Sequence, residues 1–194
     1  MILFYRFVDL SGPSPDAIAA ALLQWASELS LKGRLLVAEE GVNGTLAGAP
    51  RDVAAFEEHC MRDETLRFDV SDFRASQAHS PPFGRLQVKV VEELCWSGRT
   101  LKDVPLSETG IGYLTPEEWC ATLRERASDV VVLDVRSRKE SSIGRFAGAV
   151  VPPTRTFADY QQWLASEEGR SLMEGKRVLM YCTGGLRCEK TAAK

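Results

Sequence analysis

Two short apolar runs, Val130 to Val135 and Arg177 to Tyr181, most constrain what this chain can fold into. The first is an almost unbroken β-branched stretch with apolar side chains on both faces, which suits a central parallel strand covered by helices on either side. Between the runs, Phe157 to Ala165 reads as a helix. Strands alternating with helices predict an open α/β sheet, whose active site lies at the carboxyl ends of the strands. The second run leads straight into Cys182, so the chemistry is expected there.

Cys182-Thr183-Gly184-Gly185-Leu186-Arg187-Cys188 joins a strand to a helix. The two glycines let successive backbone N–H groups turn toward the cysteine sulfur, and the following helix adds its positive end. Such a cradle favours the thiolate, the nucleophilic form of a group that ordinarily titrates near 8.5. The same residues also fit a plain strand-to-helix turn or a Cys182–Cys188 disulfide. Zinc fits worse, because structural zinc takes closely spaced pairs of ligands and four ligands in all. No metal and no cofactor is expected. A cysteine loop with a downstream arginine serves both phosphate-ester hydrolysis and sulfur transfer. Four residues separate Cys182 from Arg187, one short of the phosphatase spacing, and Cys188 stands where the phosphatase arginine would be. The tighter loop suits one terminal sulfur, so Cys182 is read as accepting a persulfide, with Arg187 steering an anionic donor. Asp134 and Arg136 end the first run on the same edge and read as hydrogen-bonding or ion-pairing supports, as does Glu140.

The N-terminal half has a different pattern. Ile2 to Val8 reads as a strand, followed by a helix capped at Ser14 and reaching about Ser30. Arg34 to Glu39 is a second strand, Gly41 to Gly44 a turn, and Thr45 to Ala47 a third strand. Arg51 to Arg62 is a second helix, and Phe68 to Phe73 and Arg85 to Val91 are further strands. This order is the split βαβ pattern of a ferredoxin-like sandwich. Trp96 to Gly112 lacks an apolar period and reads as a linker, and Thr115-Pro116-Glu117-Glu118 starts a helix that runs to about Ala127. The expected division is therefore 1–95, linker 96–112, and 113–194.

Net charge is −3, which excludes a global cationic field, yet residues 96–194 hold 15 basic and 13 acidic side chains against 9 and 14 in residues 1–95. No apolar run is long enough to span a bilayer. Five widely spaced cysteines do not form a disulfide framework, and a reducing cytoplasm fits them best.

Asp134-Val135-Arg136, Gly144-Arg145-Phe146-Ala147-Gly148-Ala149 and the Cys182–Cys188 loop together resemble a rhodanese domain. Tyr113 to Trp119, Cys182 to Lys190, Ala38 to Thr45 and Phe83 to Lys89 resemble, more specifically, the rhodanese-containing tRNA uridine-34 hydroxylase family. That resemblance implies a ferredoxin-like domain followed by a rhodanese-like α/β domain that continues beyond Lys194. It also implies oxygen-dependent hydroxylation of the wobble uridine, with tRNA as partner. Carried over, the active-site cysteine is Cys182, with Cys188 a second thiol able to resolve or replace it. Phosphate contacts are then expected from Arg85, Lys89, Arg138, Lys139 and Arg145. Two other readings stand beside it: a sulfurtransferase with a sulfur donor as partner, and a non-catalytic RNA- or protein-binding module. Nothing in the sequence sets the oligomeric state.

Overall fold

The computed structural model describes residues 1–78, 80, 82–98, 112–125 and 128–192. They group into two compact units, one built on Met1–Leu94 and the other on residues 112–192 together with Cys95–Gly98. Most of the expected linker lies outside the described residues, as does the end of the helix expected to reach Ala127.

The first unit alternates strands and helices: β1 (Ile2–Phe7), α1 (Pro15–Glu28), β2 (Lys32–Ala38), β3 (Gly41–Ala47), α2 (Pro50–Arg62), β4 (Phe73–Ala75) and β5 (Leu86–Val90). The sheet order is β4-β1-β3-β2-β5. β3 runs antiparallel to both β1 and β2, and β4 antiparallel to β1, which is the ferredoxin-like arrangement. β5 extends it as a parallel partner of β2. α1 begins where its sequence dictates: the Ser14 side chain accepts the Asp16 N–H, and Pro15 opens the first turn. The helices bury Ile18, Leu22 and Ala26 of α1 and Val53, Phe56 and Cys60 of α2 against the sheet. Phe4 is the hub, with ring centroids 5.7 Å from Phe56, 5.7 Å from Phe68 and 5.3 Å from Phe73. Each such aromatic pair contributes about 0.5–1.5 kcal/mol beyond its burial.

Two local expectations are corrected. Gly41 to Gly44 is strand, not turn; the reversal falls on Glu39 and Glu40. The glycines are there for space. At Gly41, with φ at 137°, a Cβ would strike the Arg6 carbonyl, and at Gly44 it would strike Leu35 and Phe4. Phe68 to Phe73 is not a continuous strand either. Asp69 accepts the Ser71 N–H while Asp72 accepts the Asp69 N–H, which winds Val70–Asp72 into a single 3-10 turn and delays β4 to Phe73.

The second unit contains α3 (Pro116–Glu125), β6 (Val130–Asp134), α4 (Arg138–Ile143), α5 (Phe157–Ala165), α6 (Glu167–Met173), β7 (Arg177–Tyr181) and α7 (Leu186–Ala192). β6 and β7 pair in parallel, and Val150 forms a bridge to Leu133 on β6. The core joins Val131, Leu133 and Val135 to Tyr160, Trp163 and Leu164 of α5, with Cys182 and Cys188 packed partly against it. The short helices α4 and α6 carry no long apolar period and were not expected. Each starts on a serine cap, Ser137 and Ser166. The chain is thus α+β in its first unit and α/β in its second, and the register that pairs Asp134 with Tyr181 brings both strand ends to one edge.

Candidate active site

The edge is occupied by Cys182. The backbone turns immediately after it, with Gly185 at φ 100°, a left-handed conformation that glycine tolerates best. This turn brings the Gly185 N–H to 3.0 Å from the Cys182 sulfur. The Cys188 thiol donates to the same sulfur, joined by the Cys188 and Gly184 N–H groups. Burial opposes the charge, yet the donors, led by the Cys188 thiol, bring Cys182 down to about 5. Cys188 moves the opposite way: its proton is held in the hydrogen bond to Cys182, and burial adds to that. The pair therefore carries one negative charge on Cys182 at neutral pH, and none of the five cysteines is in a disulfide.

Arg187 leaves the first turn of α7 and meets Glu140 of α4 through two hydrogen bonds, at 3.1 and 2.7 Å. Thr183 completes the triangle, donating its hydroxyl to Glu140 at 2.7 Å and accepting from Arg187 at 3.3 Å. Glu140 also accepts from the Ser137 N–H and hydroxyl, the return arm of a capping box. Hydrogen bonds from Arg187, ahead of those from Ser137 and Thr183, hold the Glu140 carboxyl far below the usual carboxylate range despite burial. For Arg187 burial disfavours the charge, but Glu140 outweighs it and raises the guanidinium. The guanidinium read as steering an anionic donor thus has a carboxylate along its edge, and it fixes α4 to the cysteine loop. Leu186 opens α7 and makes no polar side-chain contact.

Beneath this lies a second network. Asp134 is fully buried and accepts from Arg136 at 2.9 and 2.8 Å, from Ser141 at 2.8 Å and from the Tyr181 hydroxyl at 2.7 Å. Burial resists its ionisation, but these donors prevail and hold the carboxyl at about 2. Arg136 also donates to the Gly144 carbonyl at 2.6 Å and sits 5.1 Å from the Tyr181 ring centre. The resulting rigid frame supports the cradle from the residue preceding Cys182.

With this geometry in place, comparison with known proteins is informative. Residues 1–94 match the model of the UPF0176 acylphosphatase like domain. The whole chain is similar to proteins named tRNA uridine(34) hydroxylase: 38% identical to that of Oceanobacillus iheyensis over 98% of this chain and 56% of the relative. It is 36% identical to that of Deinococcus radiodurans over 97% and 59%, and 34% to that of Brucella anthropi over 97% and 59%. The chain spans somewhat more than half the length of these curated relatives.

The expected basic residues fall in both units. Arg85 and Lys89 are exposed, Arg85 just before β5 and Lys89 on it. Arg138, Lys139 and Arg145 are exposed on α4 and the loop after it. Sequence reasoning undervalued Glu140 and overlooked Tyr181. The spacing Ser137-x-x-Glu140 after a strand was the available signal for the first, since it marks a capping box. Tyr181 gave none, because a tyrosine ending an apolar run reads as core. Among the described residues, no group of three His, Cys, Asp or Glu side chains could hold a metal ion, and no helix is long and apolar enough to cross a membrane.

Proposed function

We propose that this protein takes part in hydroxylating carbon 5 of the wobble uridine of tRNA, with dioxygen as oxidant, in the cytoplasm, and that Cys182 is its catalytic thiolate. The observation that carries the reading is the similarity to tRNA uridine(34) hydroxylases along nearly the whole chain, N-terminal unit included. A stabilised thiolate at Cys182 supports it, as does the position of Cys188 beside it. In this reading Cys188 modulates Cys182, Arg187 and the loop Thr183 to Leu186 shape the cradle, and Asp134 and Arg136 hold the edge beneath it. The second unit is a rhodanese-type domain, and the domains divide near residues 95 and 113. Arg85, Lys89, Arg138, Lys139 and Arg145 contact phosphates. The test is nucleoside mass spectrometry of tRNA from a strain lacking the gene. 5-Hydroxyuridine and its derivatives are expected to disappear, to return with the wild-type gene, and to stay absent with Cys182→Ser. Unchanged tRNA after deletion refutes it.

The inward N–H groups around Cys182 favour one further property, because they suit a persulfide anion as well as a thiolate. Intact-mass measurement after treatment with a sulfane-sulfur donor is expected to show one added sulfur in wild type and none in Cys182→Ala. An equal gain in both ends that reading.

A further inference from the structure

Phe146 is an aromatic side chain left 41% exposed on a loop that is otherwise firmly held. Arg136 binds the Gly144 carbonyl at one end of this segment, and the Tyr181 hydroxyl accepts the Phe146 N–H at 3.3 Å at the other. The ring meets Tyr181 edge-on at 4.8 Å and Trp119 at 5.3 Å, so its position is fixed while part of its surface faces water. Arg145 immediately precedes Phe146, and Arg138 and Lys139 lie on α4, which leads into this loop. All three are exposed, and among the described residues none makes a side-chain hydrogen bond or ion pair. Arg138 and Arg145 share the wall of a surface depression of about 350 Å³. Elsewhere on this edge, Arg136 and Arg187 are each neutralised by a carboxylate.

A fixed, exposed aromatic ring on a loop that adjoins unneutralised cations matches one ligand chemistry best: an unpaired nucleotide strand, whose base faces stack while its phosphates meet the cations. A duplex hides its base faces. We propose that Phe146, with Arg138, Lys139 and Arg145, forms a stacking platform for an unpaired base of the RNA substrate. The base is one flanking the reacting nucleotide. Tyr181 and Cys182 are consecutive and project to opposite faces, Tyr181 toward Asp134 and Phe146, Cys182 toward the core side of Leu133. The platform thus lies on the other side of the strand end from the sulfur. This inference rests on the tRNA reading, but its test does not depend on hydroxylation.

The test measures binding of a fluorescently labelled anticodon stem-loop RNA and of a fully paired RNA of equal length, at several salt concentrations. Phe146→Leu, which keeps an apolar side chain but removes the π face, is expected to weaken stem-loop binding roughly five- to hundredfold, with Phe146→Tyr close to wild type. Paired RNA is expected to bind weakly and equally to all three. Arg145→Ala is expected to weaken both RNAs and to lower the salt slope by about one. The pH profile of Cys182 alkylation checks that each variant keeps its frame. Equal stem-loop binding by wild type and Phe146→Leu overturns the platform, as does a wild type that binds no stem-loop and takes a protein ligand instead. Loss of stem-loop binding in Phe146→Leu, in a protein that leaves uridine unmodified, upholds the platform and refutes the activity.

Discussion

Replacing Cys188 with alanine removes the leading donor to the Cys182 sulfur and leaves the backbone N–H groups of Gly184, Gly185 and Cys188 in place. A hydrogen bond to a charged group contributes about 1.5–3 kcal/mol, and 1.36 kcal/mol is one pKa unit, so Cys182 is expected to rise by roughly one to two units. Starting from about 5, it then titrates near 6–7. At pH 7 the variant is still about half to nine-tenths ionised, so a single neutral-pH measurement would separate the two proteins by at most about twofold. The assay is the rate of iodoacetamide alkylation of the Cys182 peptide from pH 4 to 9, followed by mass spectrometry because four other cysteines are present. In Cys188→Ala the midpoint moves up by the predicted amount. The limiting rate at high pH rises a few-fold, because a more basic thiolate is the better nucleophile. Cys188→Ser retains an O–H donor and keeps the midpoint low. A midpoint in Cys188→Ala indistinguishable from wild type refutes the assignment of Cys188 as proton donor.

Three further outcomes follow from the same structure. Glu140→Gln replaces the carboxylate clamping Arg187 and Thr183. The pair is about a quarter to a third exposed, so screening limits the expected cost to about 1–2 kcal/mol in urea unfolding. Both Glu140 and Asp134 titrate below their ordinary values, so the stability they confer is complete above the normal carboxylate range and is lost progressively as pH falls from that range toward the lower folded-state values. Wild-type stability is expected to drop between pH 5 and 3 more steeply than that of Glu140→Gln; parallel curves contradict the clamp. The Tyr160 hydroxyl is buried with no hydrogen-bond partner among the described residues, so Tyr160→Phe is expected to be neutral or stabilising by up to about 1–2 kcal/mol. A clear loss of stability shows that the hydroxyl has a partner. Gly44→Ala drives a methyl into Leu35 and Phe4 and is expected to cost about 1–3 kcal/mol, read from the urea midpoint of the first unit's unfolding; an unshifted midpoint contradicts the packing described there.

Much of the second unit was legible because its signals are local and unopposed. Phe157–Ala165 and Arg177–Tyr181 begin and end where their periodicity says, and Cys182 follows the strand directly. The ferredoxin-like order of the first unit was legible for the same reason. What escaped depended on partners remote in sequence. Gly41 and Gly44 read as a turn because glycine usually means one, whereas here the neighbouring strand and Phe4 leave no room for a side chain. Phe68 to Phe73 has strand composition, but Asp69 and Asp72 compete locally for its backbone. Glu140 reads in sequence as a generic hydrogen-bonding or ion-pairing support with no partner named. Its grip on Arg187, 47 residues away, needs the fold. The opposed shifts of Cys182 and Cys188 likewise come from a turn geometry that the loop sequence permits without dictating.

The claim that matters most is that Cys182 is the reacting thiolate in wobble-uridine hydroxylation, and one measurement addresses it directly. tRNA from the gene-deleted strain, carrying in turn wild type, Cys182→Ser or Cys120→Ser, is digested and its 5-hydroxyuridine derivatives are quantified by mass spectrometry. Cys120 is an exposed free cysteine on α3, outside the Cys182–Cys188 loop, and serves as the control. Restoration by wild type and Cys120→Ser, with none by Cys182→Ser, is the predicted result. Restoration by Cys182→Ser to the wild-type level contradicts it.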